Sequence, residues 1–91
     1  MNLYTKKGRP LQVHGDIVYS RSGIPVGRIN GTKVFGPNGR YVGSIDGDRM
    51  VYRSTERAEI SSSFSVGRIG GTGAGSVGGS GIWGDEPEIP D

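Results

Sequence analysis

Ninety-one residues contain no cysteine, so neither a disulfide framework nor a thiolate metal site is open to this chain. Apolar runs never exceed three residues, as in Ile17-Val18-Tyr19, which excludes a membrane-spanning helix. Met1 to Pro10 is polar and charged rather than an apolar leader, and with no thiols a cytoplasmic setting is expected. Large side chains are scarce: seven aromatics, one of them Trp83, must supply most of the buried surface, so the core is thin. A small domain short of core and lacking disulfides or an evident metal site is expected to stabilise itself by association, as a homo-oligomer.

Glycine is abundant and regularly placed. Val26-Gly27-Arg28-Ile29, Val42-Gly43-Ser44-Ile45 and Val66-Gly67-Arg68-Ile69 are near-copies of one unit, interleaved with the pairs Leu3-Tyr4, Val18-Tyr19, Val34-Phe35 and Val51-Tyr52. Apolar residues recur at the two-residue period of strands, and no stretch has the helical period. Asn30-Gly31 and Asp46-Gly47 suit type I′ hairpin turns, while Lys6-Lys7-Gly8, Arg21-Ser22-Gly23 and Gly36-Pro37-Asn38-Gly39 suit longer loops ending in a left-handed glycine. The expected fold is all-β: about eight short strands in hairpin repeats, arranged as a flower or meander of pseudo-four-fold character. Glycine inside a strand is unfavourable unless something approaches it closely, so Gly27 and Gly43 are expected at crowded positions near the centre, with Val18, Val34 and Val51 as equivalent inner residues.

Leu3-Tyr4-Thr5-Lys6-Lys7-Gly8-Arg9-Pro10, followed by the hairpins Ile17 to Ile29 and Lys33 to Ile45, resembles the four-fold β-flower domain of bacterial proteins over residues 2 to about 53. The resemblance implies a fold and no activity, and it carries no catalytic residue across.

Beyond residue 53 the pattern loosens. Ser54 to Ser65 replaces the tight turn of the earlier units, and seven of the twelve residues from Gly70 to Gly81 are glycine, the composition of a flexible linker. The organisation read from the sequence is a β-hairpin repeat domain (1–69), a Gly-rich linker (70–81) and an acidic, Trp-containing tail (82–91). Charge is divided along the same line. Residues 1–71 hold all eleven Lys and Arg against five acids, net +6, while residues 72–91 hold four acids and no base, net −4.

Catalytic machinery is not expected. His14 is the only imidazole, with no nucleophile at a recognisable spacing, and Asp46 and Asp48 suit a turn better than a metal. Gly73-Ala74-Gly75-Ser76-Val77-Gly78 matches the dinucleotide fingerprint in letters only, because no helix follows to hold a pyrophosphate. No cofactor is called for. Arg28 and Arg68 occupy equivalent places in two Val-Gly-Arg-Ile units, and Arg9, Arg21 and Arg40 lie at or beside turns whose N–H groups could face phosphate. Tyr41, outside the repeated aromatic positions, is the candidate for stacking on a base; the other repeated aromatics are read as core. These residues point to a non-enzymatic module binding an anionic small molecule, such as a nucleotide or cyclic signalling nucleotide, or nucleic acid. The alternative is a protein-interaction or assembly module, including an inhibitor of a partner protein. That module would act through Trp83, Asp85, Glu86 and Glu88, whose nearest target is the basic body of the same or a neighbouring subunit.

Overall fold

Short and long strands alternate through the first half of the chain, each pair joined by a glycine turn. A computed structural model describes residues 2–91. The strands are β1 (Leu3–Thr5), β2 (Pro10–His14), β3 (Ile17–Tyr19), β4 (Pro25–Asn30), β5 (Lys33–Phe35), β6 (Tyr41–Asp46) and β7 (Arg49–Val51). Among the described residues seven strands form, rather than eight, and they close into a barrel in chain order. Every neighbouring pair is antiparallel except the closing one, β1 with β7, which is parallel with Tyr4 opposite Arg49 and Thr5 opposite Met50. The molecule is a disc of 31 × 31 × 19 Å. Among the described residues no helix is long and apolar enough to cross a membrane.

Inner turns join β2 to β3, β4 to β5 and β6 to β7, with Gly15, Gly31 and Gly47 at φ 63°, 66° and 62°. Asn30 pairs with Lys33 and Asp46 with Arg49, so the central residues are Gly31-Thr32 and Gly47-Asp48, and among the described residues only glycines have positive φ. Glycine alone at the first central position is the II′ arrangement, one residue out of step with the I′ reading of Asn-Gly and Asp-Gly. Outer corners are closed by Gly8, Gly23 and Gly39, whose N–H groups donate to the carbonyls of Thr5, Ser20 and Gly36.

Val-Gly marks a bulge. In the β3–β4 pair Tyr19 faces Pro25 and Val18 faces Gly27, so Val26 is skipped; in β5–β6 Phe35 faces Tyr41 and Val34 faces Gly43, so Val42 is skipped. The extra residue bends each long strand. The first petal has no bulge, Leu3 facing Leu11 and Tyr4 facing Pro10, and there the sequence has no Val-Gly. A Cβ on Gly27 would come within 2.6 Å of the Phe35 carbonyl oxygen and 2.7 Å of a Val34 methyl, and one on Gly43 within 3.0 Å of the Val51 carbonyl oxygen. These glycines are close-packed, as their place inside strands implies. Gly67, in the third copy of the unit, has nothing within 4 Å; Val66 is exposed and residues 66–69 form no strand. That copy is therefore not a petal.

Leu3, Leu11, Val18, Val26, Val34 and Met50 make the buried cluster. Val18, Val34 and Val51 are all fully buried. The corner bonds align Thr5, Ser20, Gly36 and Tyr52 with one another, each donating its N–H across its corner, to Arg9, Ile24, Arg40 and Asp85. On that alignment the fourth apolar pair is Met50-Val51, one residue earlier than Val51-Tyr52. Tyr52 accordingly leaves the core series and stands at a corner.

Asp85 shows how the fourth petal is completed. Where a fourth long strand would follow β7, the chain instead makes a short 3-10 turn at Ser54–Glu56 and leaves the barrel. It then makes a full lap around the disc, passing the corners in reverse order. Ser61 N–H donates to the Gly39 carbonyl, Ile69 N–H to Gly23 and Val77 N–H to Gly8; Asp85 then pairs with Tyr52 in both directions at 2.7 and 2.8 Å. Phe64, Thr72 and Ser80 donate in the same way to Pro37, Arg21 and Lys6. Successive contacts are eight residues apart, half the spacing from Gly23 to Gly39, because the strap passes each quarter-turn once while the barrel goes out and back. Residues 70–81, a linker by composition, are held by the barrel along their length. After Asp85 comes Pro87, which is fully buried, and Ile89, which packs against the core cluster.

Candidate functional site

The corner face between β6 and the end of β7 carries two grooves larger than the one of about 220 Å³ along β1 and β2. Tyr41, at the start of β6, is 7% exposed, its ring 5.5 Å from Tyr52 and 6.3 Å from Phe35. Its hydroxyl is 2.7 Å from Ser44 Oγ, donates to Glu56 at 3.1 Å and accepts the Arg53 N–H at 3.2 Å; Ser44 Oγ also donates to Glu56. Burial raises the Tyr41 pKa, against the opposing effect of the Ser44 and Arg53 hydrogen bonds. The Ser44 hydroxyl, with smaller help from Tyr41, Lys33 and Arg53, holds the Glu56 carboxyl below its ordinary value. The 3-10 turn that replaces the fourth corner glycine is what brings Glu56 here.

Two grooves share the Tyr41/Tyr52 wall. One, of about 600 Å³, is lined by Asn38, Arg40, Tyr41, Tyr52, Arg57, Ala58, Ile60 and Ser61. The other, of about 480 Å³, is lined by Tyr41, Tyr52, Asp85, Glu86 and Glu88. One side of the tyrosine wall is therefore cationic and the other anionic. Arg40 and Arg57 are exposed, and among the described residues neither has a carboxylate at ion-pair distance. Tyr41 touches both grooves but offers little ring surface; Tyr52, read from the repeat as core, is half-buried and supplies the more open face.

The remaining arginines are not gathered into one surface. Arg9 donates through Nε to Glu86 at 2.8 Å, through Nη2 to the Pro87 carbonyl at 3.3 Å and through Nη1 to Asp91 at 3.4 Å. Arg21 lies 3.7 Å from Asp91. Arg28 stacks over Phe64, 5.1 Å from the ring centre, and reaches the Ser62 carbonyl. Arg68, on the exposed strap, is not equivalent to Arg28 in β4. Of the six candidate ligand residues, Arg40 and Tyr41 share a groove, joined by Arg57, which turn chemistry alone did not single out.

Tail residues face the barrel of their own chain. The Lys7 N–H donates to Glu86 at 2.9 Å. Partial burial would raise the Glu86 pKa, but the Lys7 N–H and then the Arg9 and Thr5 bonds outweigh it and hold the carboxyl below its ordinary value. Trp83, 58% exposed, lies against Arg53, whose guanidinium carbon is 4.3 Å from the ring centre and which also donates to Asp46 at 3.1 Å. Asp85 binds through its backbone, and Glu88 lines the acidic groove.

A closed ring of short hairpins with four pseudo-equivalent corners, three of them closed by glycine, is the architecture of a β-flower. The chain belongs to that class: the sequence model of the 4-fold beta flower protein family matches residues 1–74. No match was found among curated proteins or among solved structures.

Proposed function

We propose that this domain is a non-enzymatic, cytoplasmic binding module that takes an anionic ligand with a planar portion, a nucleotide in the first instance, in the groove beside Tyr52. The observation that supports this reading is the pairing of Arg40 and Arg57, both free of carboxylate partners among the described residues, with an accessible tyrosine face in one groove of about 600 Å³. Guanidiniums suit phosphate oxygens and an aromatic face suits a base. Arg9 and Arg21 are already engaged by the tail, which leaves the Arg40/Arg57 side as the cation pair open to a ligand.

Calorimetry of the full chain against ATP, a cyclic dinucleotide, inorganic phosphate and a short DNA tests the reading. Saturable binding to a nucleotide, weakened at least tenfold by Arg40→Ala together with Arg57→Ala and unchanged by Arg68→Ala, is the expected outcome. Absence of saturable binding to all four, or binding indifferent to the double variant, contradicts it.

A further inference from the structure

The fourth petal is a slot filled from outside the order of the strands. Its walls are the Tyr52 backbone N–H and carbonyl, the Lys7 N–H, the Arg9 guanidinium and the apolar surface under Pro87 and Ile89. Its occupant is Asp85 to Asp91, an acidic segment whose carboxylates at 86 and 91 meet Arg9 and Arg21. The join is a single antiparallel bridge, Tyr52 with Asp85, at the corner beyond β7, reinforced by side-chain contacts.

Between Arg57 and Glu86 no residue is buried, and the strap is held by backbone bonds at its corners, by barrel side chains that donate to its carbonyls, such as Gln12 to Gly70 and Arg49 to Gly78, by two arginine–aromatic contacts and by one ion pair, Lys33 with Glu59. Such a segment opens locally at low free-energy cost while the barrel stays closed. Residues 57–84 fully extended reach on the order of 90 Å, nearly three times the disc's 31 Å width, so a released segment easily reaches the slot of a neighbour.

We propose that residues 85–91 of a second copy of this chain occupy this slot, giving a strap-exchanged dimer in which each copy completes the other's fourth petal. An identical segment fits by construction: its Glu86 meets the neighbour's Arg9, its Asp85 the neighbour's Tyr52. Exchange of an identical element adds no new type of contact, which makes it a low-cost route to a dimer. The length of the strap gives the means.

Charge reversal tests this in the full chain. Arg9→Glu breaks the slot and leaves the tail intact, while Glu86→Arg breaks the tail and leaves the slot intact. Alone, each variant sets like charges together. In a mixed exchanged dimer, one slot joins the native Arg9 to the native Glu86, and the other joins the two substituted side chains, which are again of opposite charge. Native mass spectrometry of a 1:1 mixture should show mixed dimer exceeding both homodimers several-fold. The double variant, restored within one chain, should return to the wild-type distribution. If the single variants are unfolded alone, recovery of near-ultraviolet circular dichroism on mixing carries the same meaning. A mixture that only superposes the two separate samples overturns the proposal, as does a dimer that forms equally in wild type and every variant.

Discussion

Ten apolar side chains are buried between Leu3 and Val51, and from Arg57 to Asp91 only Pro87 is buried. Both regions nevertheless follow the same four corners. The barrel is specified by side chains, through Leu3, Val18, Val34 and Met50 inside and two close-packed glycines at the bulges. The strap is specified by backbone: its N–H groups meet corner carbonyls every eight residues, and between them the carbonyls of Ser62, Gly70, Gly78 and Gly84 accept from Arg28, Gln12, Arg49 and Lys6 of the barrel. A segment can thus be structured without a hydrophobic pattern, provided that a preformed edge offers it hydrogen bonds at a matching interval. Five of the seven half-buried strap positions, Ser61, Phe64, Ile69, Thr72 and Ser80, fall at those bonds, not at a strand or helix period.

Substitutions should separate the two regions sharply. Gly27→Val and Gly43→Val place a side chain against fixed backbone and should cost about 3 kcal/mol or more in denaturant unfolding, while Gly67→Val, facing open space, should stay within about 0.5 kcal/mol. Comparable losses at all three would erase the distinction. Corner glycines belong to both regions. Gly23→Ala strains a φ of 96° and drives a Cβ into the Ile69 carbonyl, so it should cost more than about 1 kcal/mol and free the Ile69 amide to exchange. Arg9→Ala touches only the strap. Losing the Glu86 and Asp91 contacts should lower stability by about 1 kcal/mol and red-shift Trp83 emission, whereas Arg68→Ala should do neither.

The smallest expected effect is that of pH. Glu86 has its folded pKa depressed, so its contribution is present above the ordinary glutamate value of about 4.3 and is lost as pH falls through the lower folded value. Trp83 emission should therefore move toward its solvated position in acid before the barrel signal changes. A simultaneous transition of both would show that tail and barrel open as one unit.

Legibility in the sequence followed the same division. Val26-Gly27 and Val42-Gly43 announced crowding because glycine inside a strand needs a packing reason, and the corner glycines announced loops because each takes a positive φ. The one-residue offset of the inner turns was hidden, since Asn-Gly-Thr-Lys admits either placement of the central pair. Val66-Gly67-Arg68-Ile69 misled because four letters copied the petal motif without the partner strand that makes it one. Arg28 and Arg68 were paired on that copy, so their separation follows from the same error. The lap of the strap left one faint trace, the interval of eight from Ser61 to Ile69, Val77 and Asp85, and four residues of unlike chemistry at a common spacing are not a pattern until the corners they meet are known. Arg57 was missed because it enters the groove through the 3-10 turn, which nothing in the repeat foretold.

Backbone register, rather than composition, is held to order the second region, and residue-resolved amide hydrogen exchange of the native chain tests that claim most directly. The predicted profile has protection maxima at Ser61, Phe64, Ile69, Thr72, Val77, Ser80 and Asp85, recurring every eight residues, with fast exchange at Val66, Gly73 and Gly81 between them. Uniformly fast exchange from Ser61 to Gly84, at the rate of an unstructured chain, would contradict the account.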